Sequence, residues 1–179
     1  MDEEKELVLR KYAELYEYSK AVLAEELARS YRADEKASKY LTVLSLVLSA
    51  FVFFFQQLEN KKLLPPQGML DCLIFLSMIV LFVAFLVAWW FVFSCLRIDK
   101  FMKPPLDQDT LEFYDSKRLI DIYYAMTKGN MNALMYNKGV GDRKAQALYH
   151  GYLAMKVAVI AAVVLFFLLL VRQGNLPIS

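Results

Sequence analysis

Residues 29–58 read RSYRADEKASKYLTVLSLVLSAFVFFFQQL, and this stretch decides the structural class of the chain. Residues 29–39 carry four basic and two acidic side chains, whereas the nineteen residues 40–58 carry no charge. No Gly or Pro occurs before Pro65, so nothing in the sequence interrupts a helix between the two parts. A helix of nineteen residues is about 28 Å long, close to the ~30 Å hydrocarbon core of a bilayer. The stretch predicts one long helix whose charged part lies in water and whose uncharged part crosses a membrane.

The composition and two further apolar blocks extend this prediction to three spans. Of the 179 residues, 58% are hydrophobic, against about 45–50% in soluble domains. The other blocks that are free or nearly free of charge are 72–96 and 145–171. In the last block Lys156 precedes a run of fifteen uncharged residues, 157–171. A lysine near a helix end can reach the membrane surface with its ammonium group, so we expect a third span here as well.

The basic residues predict the orientation of the chain. Lys and Arg number eight in 1–39 and ten in 97–156, against two in 59–71 and one in 172–179. Two spans separate the first two regions, so both lie on one side, which the positive-inside rule makes the cytoplasm. Since 1–39 contains no apolar signal-peptide core, the first span is expected to direct insertion.

The expected fold is an all-α membrane protein in which a long N-terminal helix continues into the first span and a helical insertion separates spans two and three. The predicted segments are a cytoplasmic helix at 1–39, transmembrane helices at 40–58, 72–96 and 151–171, an external turn at 59–71, a cytoplasmic helical region at 97–150 and an external tail at 172–179. Small and apolar residues recur along 8–37 at helical spacing, which favours a packed bundle over a coiled coil.

Within the cytoplasmic insertion, Asp109 or Thr110 is a plausible N-cap for a helix over LEFYDSKRLIDIYYAMT. We expect that helix to stop at Lys128 and Gly129. The later Gly139-Val140-Gly141 step fits either a turn or a tolerated interruption of a helix.

The first span carries a polar stripe. Ser38, Thr42, Ser45, Ser49 and Gln56 follow one another at intervals of 4, 3, 4 and 7, which places them on one helical face. Small polar residues commonly let membrane helices pack closely. The alternative is that Thr42, Ser45, Ser49 and Gln56 line a water-filled pore when several copies assemble. In span three, Ala154, Ala158 and Ala162 offer a small-residue face for packing outside such a pore.

Two basic clusters are candidates for binding an anion. Arg32 and Lys36 have no ideal i,i+4 acidic partner, so they either attract anionic headgroups or meet a phosphate or carboxylate of the second cytoplasmic region. Lys138, Arg143 and Lys144 flank two glycines, and amides in a glycine-containing turn can bind anions. The nearby tyrosines Tyr123, Tyr124, Tyr136 and Tyr149 could stack on a base or form a helical core.

Catalysis has little support in the sequence. His150 is the one histidine, and the two cysteines have no metal-binding spacing with it. No Ser-His-Asp arrangement can be defended, and no phosphate-binding P-loop motif occurs. The chain is expected to be a non-enzyme without metal or cofactor, and His150 an interfacial packing residue.

At YRADEKASKYLTVLSLVLSA the chain resembles a group of small bacterial membrane effectors, the Pycsar transmembrane effectors and the related SLATT domains. The similarity lies in Ala33-Asp34-x-Lys36-Ala37-Ser38 at the start of the first span, and in the order of spans over about residues 27–171. A third span departs from the two-span SLATT form and is closer to the Pycsar type.

This resemblance implies a role in antiphage defence by abortive infection at the bacterial inner membrane. It implies a homo-oligomeric channel that is opened or held shut by a nucleotide or oligonucleotide from a partner nucleotidyltransferase or cyclase. The nucleotide would contact Arg32, Lys36, Lys138, Arg143 and Lys144 and move the N-terminal helix. The alternatives are a non-conducting membrane anchor that recruits a cytoplasmic partner, and a constitutive pore-forming toxin. The extensive charged region argues against the toxin.

Overall fold

The computed structural model describes residues 2–60, 68–97, 100–105 and 107–174. In these residues the regular structure consists of four helices, α1 (Asp2–Asn60), α2 (Met69–Cys95), α3 (Gln108–Ser116) and α4 (Leu119–Gly174). Three of them, α1, α2 and α4, are long and apolar enough to cross a membrane. The prediction of an all-α protein with three candidate membrane spans is confirmed. Parts of the predicted external turn and tail, 61–67 and 175–179, lie outside the described residues.

Helix α1 runs for 59 residues without a break, as the absence of Gly and Pro predicts. Its polar part contains ion pairs between residues one helical turn apart. Arg10 contacts Glu14 at 3.1 Å, and Lys39 contacts Glu35 at 2.6 Å. Such exposed i,i+4 pairs each contribute a few tenths of a kcal/mol to a helix.

Helix α3 begins two residues earlier than the sequence predicts. Its N-cap is Asp107, whose carboxylate accepts hydrogen bonds from the Thr110 hydroxyl at 2.7 Å and the Thr110 backbone N–H at 3.0 Å. These two bonds favour the charged carboxylate and hold the pKa of Asp107 below its ordinary value. The prediction of Asp109 or Thr110 as the cap is therefore wrong. The predicted single helix is also interrupted, because Lys117 is extended and a new helix starts at Leu119.

Helix α4 passes through four glycines and ends at a fifth, Gly174, so the predicted stop at Lys128 and Gly129 is wrong. The Gly139-Val140-Gly141 step is likewise helical, which selects the tolerated interruption over the turn. A glycine inside a helix costs about 1 kcal/mol relative to alanine, an amount that helix packing readily outweighs. The sequence of α4 contains no proline, the residue that would remove a backbone donor.

The chain divides into two compact units, one formed by Met1–Ala33 with Ile98–Lys144 and the other by Asp34–Arg97 with Ala145–Ser179. In the first unit α1 and α4 run parallel, since Ser19 hydrogen bonds Asn130 and Arg29 pairs with Asp142 farther along both helices. The buried residues of this unit recur mostly at steps of three, four or seven; they are Leu23, Ser30, Ile122, Asn130, Ala133, Asn137, Val140, Gly141 and Lys144. In this unit α1 therefore packs against α4 of the same chain.

The core of the second unit lies between antiparallel helices α2 and α4. It consists of Ile74, Met78, Leu81, Ala84, Ala158, Ala161 and Leu165, with Phe51 and Phe55 of α1 packed against it. Ala158, from the predicted small-residue face, is fully buried. At one end of the helix pair Gly151 approaches Val92 so closely that an added Cβ would lie 2.9 Å from its side chain. At the other end Arg172 forms an ion pair with Asp71 at 3.1 Å.

Candidate functional site

The polar stripe of α1 faces away from the core of its own chain. Thr42, Ser45, Ser49 and Gln56 are all exposed, whereas Leu44 is 3% exposed. At 100° per residue the centre of the stripe lies about 130° around the helix from Leu44. Packing against the chain's own α2 or α4 therefore does not account for Thr42, Ser45 and Ser49, whereas Gln56 lines a groove together with Phe75 and Met78 of α2.

The stripe is polar, yet two of its hydroxyls are already bonded inside the helix. Thr42 Oγ1 donates to the Ser38 carbonyl at 3.1 Å, and Ser49 Oγ donates to the Ser45 carbonyl at 2.9 Å. This back-bonding satisfies the hydroxyl donor and leaves the oxygen lone pairs outward as acceptors. Such a face can accept hydrogen bonds from water or from a neighbouring helix, and it enters an apolar environment at low cost.

The exposed surface of the α1 span has an apolar sector beside the polar stripe. Val43, Leu46 and Phe53 are 59%, 73% and 63% exposed, and with Ala50 they follow the stripe around the helix. The span consequently presents three sectors, one packed on its own chain, one polar and one apolar. Three different sectors suit a helix that meets three different environments.

Helix α1 is also the span that its own chain covers least. Of the eighteen most apolar consecutive residues in each helix, the buried share is 6% in α1, 28% in α2 and 17% in α4. The remaining surface of α1 must be covered by lipid, by water in a pore or by another subunit.

The basic residues predicted on 137–146 do not converge on one point. Because the segment is helical, Lys138 and Arg143 lie about 140° apart around α4, and Lys144 lies at least about 100° from each. Lys138 and Arg143 are exposed. Lys144 is 5% exposed, and its ammonium lies 5.4 Å from the ring centroid of Phe101. Backbone amides inside a helix are bonded to carbonyls, so this segment lacks the anion-binding turn that the glycines suggested.

On α1 the neighbouring arginine, not the predicted pair, makes the contact between helices. Arg29 contacts Asp142 at 3.3 Å and Glu26 at 3.6 Å. Arg32, in the first unit, and Lys36, in the second, are exposed. Nucleotide binding by these residues stays a prediction, with Arg32, Lys36, Lys138 and Arg143 accessible to a ligand and Lys144 covered.

Sequence reasoning missed a polar seam in the first unit, which consists of the buried residues Ser30 on α1 and Asn130 and Asn137 on α4. Asn130 donates to the Ser19 hydroxyl at 2.9 Å. Asn137 accepts from the Met102 backbone N–H at 2.8 Å and donates to the Met102 carbonyl at 2.9 Å, which holds the segment 100–105 on α4. Asn130 and Asn137 are seven residues apart, one heptad, and that spacing was the available signal.

One side of this polar seam has groups without a hydrogen-bond partner. Among the described residues, the hydroxyl of Ser30, which is 2% exposed, and Oε1 of Glu26 have no hydrogen-bond partner, although this Oε1 lies 3.6 Å from the Arg29 guanidinium. Glu26 Oε1 also lies 2.7 Å from the place that a Cβ on Gly141 would occupy. The seam therefore combines close approach with incomplete hydrogen bonding, in contrast to the apolar core of the second unit.

The aromatic residues near the seam are divided between packing and exposure. Tyr123 packs on Tyr16 with 5.8 Å between ring centroids, and Tyr124 meets Tyr12 edge-on at 6.3 Å. Tyr124 and Tyr136, however, are 56% and 52% exposed. The alternative of a helical core thus applies to the partly buried pair of Tyr16 and Tyr123.

His150 packs against Phe91 with 5.3 Å between ring centroids, as expected for a packing residue. Within 2–60, 68–97, 100–105 and 107–174, no group of three or more His, Cys, Asp or Glu side chains could hold a metal ion.

No protein-family model, curated protein or solved structure matches this chain. Function must therefore be inferred from the placement of the residues described above.

Proposed function

We propose that this chain is the subunit of a homo-oligomeric membrane channel whose pore is lined by Thr42, Ser45, Ser49 and Gln56. One observation carries the proposal. The polar stripe lies on the exposed side of α1, away from buried Leu44, so packing within the described part of one subunit does not require polar side chains there. A ring of such faces around an axis would enclose a column of water and satisfy the outward oxygen lone pairs.

The sectors of α1 support assembly as well as a pore. In a ring the polar sector would face the axis, while the apolar sector with Leu46 and Phe53 would contact lipid or the next subunit. The low coverage of α1 by its own chain leaves room for these contacts. Helix α4, whose Ala158 packs into the core, would lie outside the pore.

We further propose that a nucleotide signal gates this channel. The resemblance of Ala33-Asp34-x-Lys36-Ala37-Ser38 to bacterial antiphage effectors supports this assignment, together with a place in the bacterial inner membrane and a role in abortive infection. On this proposal 1–39 and 97–150 lie in the cytoplasm, where a partner nucleotidyltransferase or cyclase supplies the ligand.

Helix continuity would couple the ligand to the pore. Arg32 and the pore-lining residues belong to one helix that has no break between residues 2 and 60. Lys138 and Arg143 diverge on α4, so a nucleotide would use one of them together with a basic residue of another helix or subunit. A ligand can shift the pore only by its different affinity for the two states.

The second candidate is a non-conducting membrane anchor. The hydroxyls of Thr42 and Ser49 are bonded to backbone carbonyls of their own helix, and such hydroxyls also occur between packed membrane helices, which favours the anchor. Conduction distinguishes the two candidates.

The experiment is ion flux from liposomes containing the purified chain, first without ligand and then with a panel of cyclic and linear nucleotides. Ser45→Leu should abolish flux, because an apolar side chain in a ring repels the water column, while Ser45→Thr keeps the hydroxyl and should conduct. Flux that is unchanged in Ser45→Leu removes α1 from the pore. Absence of flux under every condition, from protein shown to be oligomeric and inserted, favours the anchor.

The nucleotide part of the proposal has its own variant. Arg143→Glu reverses an exposed charge of the first unit, whereas the proposed pore-lining residues belong to the second, and it should shift the nucleotide titration curve while maximal flux is kept. An unaltered titration curve would place the ligand elsewhere.

A further inference from the structure

A groove between α1 and α4 in the second unit combines an apolar channel with a basic, aromatic end. Two adjoining stretches form it, with volumes of about 440 Å³ and about 410 Å³. They share Met155 and Val159, so they are continuous.

The larger stretch is lined by apolar side chains only. The lining residues are Val43, Leu44, Val47, Phe85, Met155, Ala158, Val159, Ala162, Val163 and Phe166. The alanines at 158 and 162 leave depth between the two helices, because larger side chains there would fill it. A flexible hydrocarbon chain fits such a surface.

The other stretch has a different chemistry, since its lining includes Tyr40, Tyr152 and Lys156. The Lys156 ammonium lies 4.6 Å from the ring centroid of Tyr152. Among the residues that the structure describes, Lys156 has no acidic partner within ion-pair distance. An ammonium beside two phenol groups offers a positive charge and further hydrogen-bond donors for an anion.

The groove has the length and depth that a membrane lipid requires. Lys156 and Arg172 are sixteen residues apart on α4, which is about 24 Å along the helix. Long side chains at the two ends bring this distance close to the ~30 Å of the hydrocarbon core. The basic end therefore lies at the level of lipid headgroups, and the apolar stretch lies at the level of acyl chains.

We propose that this groove binds an anionic phospholipid. The headgroup phosphate contacts Lys156 and the hydroxyls of Tyr40 and Tyr152, and one acyl chain lies along the apolar stretch. The charge selects an anionic headgroup over a zwitterionic one. The uninterrupted apolar lining selects a lipid over a free phosphate or nucleotide. The proposal is independent of conduction, since it holds equally for a channel and for an anchor.

The test uses the full chain reconstituted in vesicles of phosphatidylglycerol and phosphatidylcholine, with retained lipid counted by native mass spectrometry after detergent extraction. Wild type should retain phosphatidylglycerol in preference to phosphatidylcholine. Lys156→Gln should lower this retention by about fivefold or more, the effect of one lysine at an anionic surface. Lys128→Gln, which removes the same charge from another exposed position of α4, should leave retention unchanged.

A second pair of variants tests the apolar stretch without altering charge. Ala162→Phe fills the groove and should reduce retention of phosphatidylglycerol to the level of Lys156→Gln. Val164→Phe introduces the same side chain about 160° around the helix and should not reduce it. Circular dichroism spectra and melting curves identify any variant that fails to fold.

Three results would overturn the proposal. One is equal retention of the two lipids by wild type, and another is unchanged retention in both Lys156→Gln and Ala162→Phe. The third is a disulfide crosslink between the subunits of an Ala162→Cys variant. That crosslink would show that a second copy of the chain occupies the groove. None of these results depends on whether the protein conducts ions, so this test and the flux experiment fail independently.

Discussion

Replacing Asn137 by alanine should release the segment 100–105 from α4. Asn137 is 1% exposed, and its amide makes two hydrogen bonds to the backbone of Met102, at 2.8 and 2.9 Å. The pair resembles one rung of a β-ladder, with a side-chain amide replacing a strand. No other residue type except glutamine carries the same donor and acceptor, and glutamine is one methylene longer.

The magnitude follows from the two bonds. Each contributes about 1 kcal/mol net, so their loss costs about 2 kcal/mol. The cost does not reach the value for a fully buried group, because Met102 is 45% exposed and water can replace part of the bonding. Asn137→Ala also gains helix propensity. Asn132→Ala, at an exposed position of the same helix, gains the same amount and serves as the matched control.

Native-state trypsin cleavage measures the opening directly. Lys100 precedes phenylalanine and is cleavable, whereas Lys103 precedes proline and resists trypsin. A loss of about 2 kcal/mol should speed cleavage after Lys100 by about 30-fold in Asn137→Ala relative to Asn132→Ala. Equal rates in the two variants would refute the assignment of this segment's anchor to Asn137.

Three further predictions concern other contacts. Gly151→Ala should lower the melting temperature in detergent, because its Cβ would lie 2.9 Å from the Val92 side chain. Gly139→Ala, with open space around it, should raise stability by about 1 kcal/mol. A higher melting temperature for Gly151→Ala than for Gly139→Ala would contradict the close approach of Gly151 to Val92. The double variant Asp71→Arg with Arg172→Asp should regain much of the stability that each single variant loses. A double-mutant cycle with no coupling energy between the two positions would exclude their ion pair. Because bonding to Thr110 lowers the pKa of Asp107, its capping contribution is complete above the unfolded pKa near ~4 and is lost as pH falls through the folded pKa. Protection of the α3 amides, expressed relative to the intrinsic exchange rate at each pH, should therefore decrease over that range in wild type, and an identical decrease in Asp107→Asn would contradict this.

The features that sequence reasoning predicted correctly are those that depend on local composition. The length of α1 follows from a stretch without Gly or Pro, and the three spans follow from runs without charge. The stripe on α1 was assigned to one face by its spacing alone. Its direction away from the core required the positions of α2 and α4, which only the structure supplies.

The errors arose where a local signal competes with a distant contact. Gly129 is an ordinary stop signal, yet α4 continues through it, and the next residue, Asn130, hydrogen bonds Ser19 of α1. Lys144 was placed in a ligand site by its charge, but it is buried beside Phe101, more than forty residues away in sequence. Asn137 was overlooked because its partner, the Met102 backbone, has no signature in the sequence.

The claim that the polar face of α1 lines a pore is tested most directly by modifying single cysteines during conduction. The native Cys72 and Cys95 are first replaced by serine and alanine. A charged, water-soluble thiol reagent should then block flux through Ser45→Cys. It should leave flux through Ala50→Cys intact, because that position lies about 140° around the helix from Ser45. Block of Ala50→Cys with no block of Ser45→Cys, or no block of either in a conducting protein, would contradict the account.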